Sequence, residues 1–154
     1  MQKQKFSSIC KNIRLRIIRS LFNAGGGHPG PSLSIVEILA YIYFVRKISA
    51  KKISEKFILS KGHAAPALYA VLNMIGKINN QELDSLRKIN SRLQGHPDMK
   101  QIKDLHAGTG ALGQGISISI GYAIGQKLQK NQKKTFCIIG DGEMQEGQIW
   151  EAAM

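Results

Sequence analysis

The sequence predicts an α/β fold, a largely parallel sheet flanked by helices. Helical patterns alternate with two short apolar runs, "FIL" at 57–59 and "TFCII" at 135–139. Such alternation marks layered strand–helix units. Each run ends in a glycine-bearing polar turn, "SKGH" and "GDGEMQEG". With 154 residues, 43% of them hydrophobic, the chain can build the core of one domain or part of one.

The elements follow in order. Phe6, Ile9, Ile13, Ile17 and Leu21 recur every three or four positions, with Lys11, Arg14 and Arg19 between them. That spacing predicts an amphipathic helix with a solvated basic face. Gly25-Gly26-Gly27 stops it, because glycine is costly in a helix and readily takes terminating angles. After "HPGP", Ser34 and Glu37 have capping-box spacing and would open the apolar helix "IVEILAYIYFV". A strand at 57–59 leads to a third helix, "APALYAVLNMIG", ended by Gly76. "NQELDSLRKI" reads as a fourth, capped by Asn80. Residues 95–115 form a long irregular loop, which in a compact domain is more often functional than idle. "GISISIGYAIGQKL" alternates small residues with isoleucine, but its length and glycine-rich lead-in favour a tightly packed helix. "TFCII" is the second strand, and "QIWEAAM" begins a last helix.

The formal charge of +12 suits phosphate-bearing partners of several kinds. The cations are spread along the chain and aromatics make up only 6%, which argues against a stacking platform for nucleic acid. No apolar stretch approaches the ~20 residues that span a membrane. The first residues lack the pattern of a signal peptide. The expectation is therefore a cytoplasmic protein with neither nucleic acid nor membrane as partner. Cys10 and Cys137, far apart and without a CxxC, make neither a zinc site nor a disulfide framework.

In "GTGALGQG", Gly108, Gly110 and Gly113 match G-x-G-x-x-G. The dinucleotide reading fails on context, since no buried strand leads in and no acid lies about 20 residues on. What remains is a glycine-rich loop entering a helix, where free N–H groups and the helix dipole favour a phosphate or diphosphate. Asp141 lies between two glycines at the carboxyl end of the second strand, where open α/β sheets bind ligands. It could cap the next helix or hold a hard cation, because Mg²⁺ takes one or two protein oxygens together with phosphate oxygens. A bridging cation explains why a basic protein gathers acids at a phosphate site. His28, His63 and His96 each follow a glycine in a loop or at a helix start. That setting suits proton relay and the binding of hydroxyl or phosphate oxygens. No pair has metal-motif spacing. His106 lacks the glycine setting and is expected to be structural or solvent-exposed.

In their order and spacing, "GGGHPGPSLSIVEILAYIYF", "FILSKGHAAPALYAVL", "SRLQGHPDMK", "TGALGQGISISIGYAIG" and "IIGDGEMQEGQIWEAAM" resemble the N-terminal, cofactor-diphosphate-binding part of transketolases. The likeness is strongest to forms made as separate N- and C-terminal sections. It covers almost the whole chain and implies that residues 1–154 are the N-terminal part of the diphosphate-binding domain, incomplete at the C-terminus. The resemblance implies thiamine diphosphate with Mg²⁺ or Ca²⁺, and transfer of a two-carbon ketol unit between sugar phosphates of the pentose phosphate pathway. Asp141 resembles the first metal ligand of the family's "GDG" signature, and Gly142 would lie against the diphosphate. Gly110, Ala111 and Leu112 would line the cofactor. His63 resembles the histidine near the diphosphate, and His28 and His96 those that bind the donor sugar and assist proton transfer. Glu146 resembles an acid of the catalytic, cofactor-side carboxylate network across a dimer interface.

The family motif runs past Met154 to an Asn that completes the metal site, and the pyrimidine-binding domain is likewise outside these residues. The chain alone is therefore expected to be inactive, to need a C-terminal section as partner, and to work as a dimer of such pairs. A sheet interrupted after its cofactor strand is also expected to expose apolar surface. Ala111 stands where many members have Pro or Ser, and His106 where an acid is common. "SKGHAAPALY" and "QEGQ" favour transketolase over 1-deoxyxylulose-5-phosphate synthase. That relative and a non-catalytic anion- or nucleic-acid-binding remnant remain the alternatives.

Overall fold

The computed structural model describes residues 3–48 and 55–154. The chain divides into two compact units, 1–47 with 63–96 and 48–62 with 97–154.

The first unit is helical: α1 (Lys3–Ala24), α2 (Pro29–Leu33), α3 (Val36–Ala40), α4 (Ala65–Met74) and α5 (Asn80–Asp84). α4 is buried continuously from Ala65 to Leu72, as befits a helix apolar on every side. The other four helices pack on it. Of the predicted stripe, α1 buries Ile13, Ile17 and Leu21, together with Cys10 and Ser20, and leaves Phe6 and Ile9 half-buried; Gly25 at φ +73° closes the helix.

The Ser34–Glu37 capping box does not form. Ser34 has helical angles as the C-cap that follows α2, so it cannot take the extended conformation an N-cap requires. Its hydroxyl donates to Pro31 O (3.0 Å), and Glu37 accepts from Arg14 (2.7 Å). α3 then continues into a π-helical turn, Tyr41–Val45, closed by Arg46 N–H donating to Tyr41 O at 2.9 Å. A capping box does occur at Asn79, one residue before the expected cap. Its side chain accepts from Glu82 N (2.9 Å), and the Glu82 carboxylate accepts from Asn79 N (3.0 Å). α5 ends at Asp84, short of the expected Ile89. Past it, Arg87 is left-handed (φ +61°) and donates its N–H to Leu93 O at 2.8 Å.

The second unit holds the sheet. β1 (Lys56–Leu59) and β2 (Thr135–Ile138) pair in parallel, from Lys56↔Thr135 to Leu59↔Ile138. α6 (Gln114–Leu128) packs on both strands, and α7 (Gly147–Ala153) packs on α6. α6 buries small Gly115 and Ser119 and leaves Ile118, Ile124 and Leu128 exposed. The isoleucine alternation is therefore a helix, as its length suggested. β1 is buried throughout, whereas β2 is fully buried only at Ile138. Among the described residues no helix or strand lies between Asp84 and Gln114, so the irregular stretch is longer than expected. No described helix is long and apolar enough to cross a membrane.

Candidate functional site

Parallel pairing brings the carboxyl ends of β1 and β2 side by side, and Ser60 N–H extends the ladder to Ile138 O at 2.9 Å. Ser60-Lys61-Gly62 follows one strand and Gly140-Asp141-Gly142 the other. The glycine-rich loop joins them, with the Thr109 hydroxyl donating to Leu59 O at 2.6 Å. Two glycines permit this approach. A Cβ on Gly62 would lie 2.9 Å from the Thr109 carbonyl, and one on Gly115 would lie 2.4 Å from Ser60 Oγ and 2.6 Å from its Cα. Gly113, at φ +82°, makes the turn into α6.

Glu143, which sequence reasoning passed over between Asp141 and Glu146, is 2% exposed. Its Oε1 accepts from Ser60 Oγ (2.5 Å) and Gly113 N (2.9 Å), and its Oε2 accepts from Gly140 N (3.0 Å). Lys61 was also missed. It is 6% exposed, and its alkyl chain lies against Gly140. Burial pushes its ammonium below the usual lysine range, while Asp141 and Glu143 pull it back up.

Asp141 stands at the start of a 3₁₀ turn, Gly142–Gln145, and its side chain makes no capping bond. The capping alternative therefore fails, and the carboxylate is exposed. Gly142 faces open space, Gly110 is half-buried, and Ala111 and Leu112 are exposed. Glu146 is exposed at the start of α7, with its Cβ 3.1 Å from where a Cβ on Gly113 would stand. Among the described residues, no group of three or more His, Cys, Asp or Glu is arranged to hold a metal. A cation at Asp141 would need oxygens from elsewhere, which is how Mg²⁺ is usually held beside phosphates. His106 is buried, with Nδ1 3.3 Å from the Phe57 backbone and its carbonyl accepting from the Tyr122 hydroxyl at 2.5 Å. It is structural, and not solvent-exposed.

The glycine-flanked histidines meet in the first unit. The His28 carbonyl accepts from Ser32 N (3.3 Å) and Oγ (2.8 Å) at the start of α2. His63 lies in the turn that leads into α4, and the rings of His28 and His63 are 5.4 Å apart, edge to face. The loop carrying His96 is pinned from below by buried Tyr69, whose hydroxyl donates toward Gln94 O (3.0 Å) and His96 O (3.1 Å). All three histidines line one cavity of about 270 Å³ together with Arg87, Gln94 and Pro66. Arg87 was expected inside a helix and carried no sequence signal for this position. Its guanidinium lies against Gly27 and Gly95, the glycines that precede His28 and His96.

Two parallel strands with a glycine-rich loop and an acid-bearing turn at their carboxyl ends define an α/β domain of the kind in which ligands bind at strand ends. The chain belongs to the family described as the transketolase thiamine diphosphate-binding domain, whose model matches residues 6–154. It is 40% identical to human transketolase, over 97% of this chain and 25% of that protein. It is 36% identical to an apulose-4-phosphate transketolase subunit from Phocaeicola vulgatus, over 100% of this chain and 56% of the relative. It is 41% identical to a 6-deoxy-6-sulfo-D-fructose transketolase subunit from a Clostridium species, over 92% of this chain and 54% of the relative. Among solved structures, the transketolase of Campylobacter jejuni superposes with a TM-score of 0.90 at 29% identity, covering 99% of this chain and 26% of that one. The chain thus spans between a quarter and just over half of the relatives it matches.

Proposed function

We propose that the chain is the N-terminal, cofactor-diphosphate-binding part of a transketolase, acting on sugar phosphates with a partner section that carries the pyrimidine-binding domain. The observation that carries this reading is the strand-end cluster. "SKG", "GTGALG" and "GDG" converge at the paired ends of β1 and β2, with an uncapped, exposed Asp141 among them. Thiamine diphosphate, when bound, supplies the carbanion and the electron sink for carbon–carbon cleavage. Asp141 would hold Mg²⁺ or Ca²⁺ against the diphosphate, with Gly142 and the backbone of Gly110, Ala111 and Leu112 alongside. His63 would face the diphosphate. His28 and His96 would bind the donor's hydroxyl oxygens and move protons to and from them. Glu146 would enter a carboxylate network at a dimer interface.

Titration calorimetry of thiamine diphosphate with and without Mg²⁺, on the chain assembled with its C-terminal section, tests the reading. Mg²⁺-dependent binding is expected, and Asp141→Ala should weaken it by about 100-fold through loss of a charged ligand. His28→Ala and His96→Ala should keep cofactor affinity and lower ketol transfer by roughly 100-fold. Absence of Mg²⁺-dependent binding in the assembled protein would refute the proposal. The assignment to a split enzyme with a separate partner draws on the Phocaeicola and Clostridium relatives, both named as subunits.

A further inference from the structure

Glu143 uses both carboxylate oxygens, and its three partners come from three separate stretches of chain. Ser60 follows β1, Gly113 closes the glycine-rich loop, and Gly140 opens the turn that carries Asp141. All three partners donate, so the group between them must accept only. An ionised carboxylate does this, whereas an amide or a hydroxyl brings a hydrogen of its own. The Gly113 N–H points inward at Glu143, so this contact sets the turn of the loop instead of meeting a ligand. Lys61, buried beside Gly140, brings compensating positive charge near the acid.

We propose that Glu143 is a positioning residue that clasps these three stretches into a preformed diphosphate cradle, ordering the glycine-rich loop and the Asp141 turn together before any ligand arrives. The ligand named here rests on the functional reading above; the coupling of the two segments does not. In Glu143→Gln, Oε1 can keep Ser60 and Gly113, but the amide NH₂ then opposes the Gly140 N–H. With the amide flipped, the same clash falls on the other two donors. At least one link is lost either way.

Hydrogen–deuterium exchange of the chain assembled with its C-terminal section, without ligand, is the first measurement. Glu143→Gln should speed exchange in residues 108–115 and 139–147 together, roughly tenfold, and leave α1 unchanged. The apparent affinity for Mg²⁺–thiamine diphosphate should fall roughly tenfold, while turnover at saturating cofactor changes less than about threefold. Unchanged exchange in either segment, acceleration that includes α1, or unaltered affinity in a variant that exchanges faster would each overturn the proposal. Should Glu143→Gln fail to fold, Ser60→Ala removes one of the three links. It should accelerate the same two segments by a smaller factor, and uniform protection there would overturn the clasp. If the wild-type assembly bound no thiamine diphosphate, the functional reading would fail, and the exchange result would still decide whether Glu143 couples the segments.

Discussion

The two units hold their chemistry in opposite ways. In the helical unit the groups that could act, His28, His63 and His96, are exposed or half-exposed on loops over an apolar core. Charge in that unit pairs at the rim, as Arg14–Glu37, Arg19–Asp84 and Arg92–Glu82, all with substantial solvent access. In the sheet unit an acid, Glu143, and two lysines, Lys56 and Lys61, are buried, and the acid's partners are backbone and hydroxyl donors. Rim pairs are screened and contribute little, whereas a buried acid costs a great deal unless every neighbour is a donor. The difference teaches that one unit tolerates local change around its histidines, while the other is assembled as a whole or not at all.

Filling the space that closes the sheet unit should break this contrast most strongly. Gly115→Ala drives a methyl into Ser60 backbone and side chain, with no flexible tip to yield. A loss of about 3 kcal/mol is expected from such overpacking, read as a lowered urea midpoint with faster exchange throughout residues 108–147. Tyr69→Phe should act on the helical unit alone. Removing the hydroxyl from the Gln94 and His96 carbonyls should cost about 1–2 kcal/mol and loosen the His96 loop, with exchange in 139–147 unchanged.

The smallest effect is expected at the rim. The hydrogen bond from Arg19, aided by Asn23, holds the Asp84 carboxyl below the usual aspartate range. Its folded value lies below its unfolded one, so the stabilisation is complete above about pH 4 and is lost as pH falls through the folded value. Melting curves of the wild type and Asp84→Asn should differ slightly at neutral pH, less in high salt, and converge in acid. A difference that grew on acidification would show that the pair does not act as a rim pair.

Periodicity made much of the fold legible. The α1 stripe and the two short strands were readable because each depends on local spacing, and Asp141 was readable because a strand end followed by Gly-Asp-Gly is local too. The Ser34 capping box failed because spacing does not report backbone angles, and Ser34 was already committed to the end of α2. The length of α5 failed because Arg87 answers to the Leu93 carbonyl and not to helix propensity. Glu143 and Lys61 were invisible for a deeper reason. Whether a charge is buried depends on donors and acceptors distant in sequence, and nothing within "GDGEMQEG" announces Ser60 or Gly113.

The pairing of β1 with β2 also has a kinetic consequence. The sheet unit begins before Gly62, is interrupted while residues 63–96 make helices, and resumes at Pro97. Its strands therefore cannot meet until a very long loop has closed, and contacts of such high sequence separation slow folding. On the ribosome the helical unit can condense while the first strand waits, its apolar face open, until the second has emerged. Nascent-chain protection of β1 should therefore arrive late, after Ile138 clears the exit tunnel and close to the moment Glu143 itself becomes available.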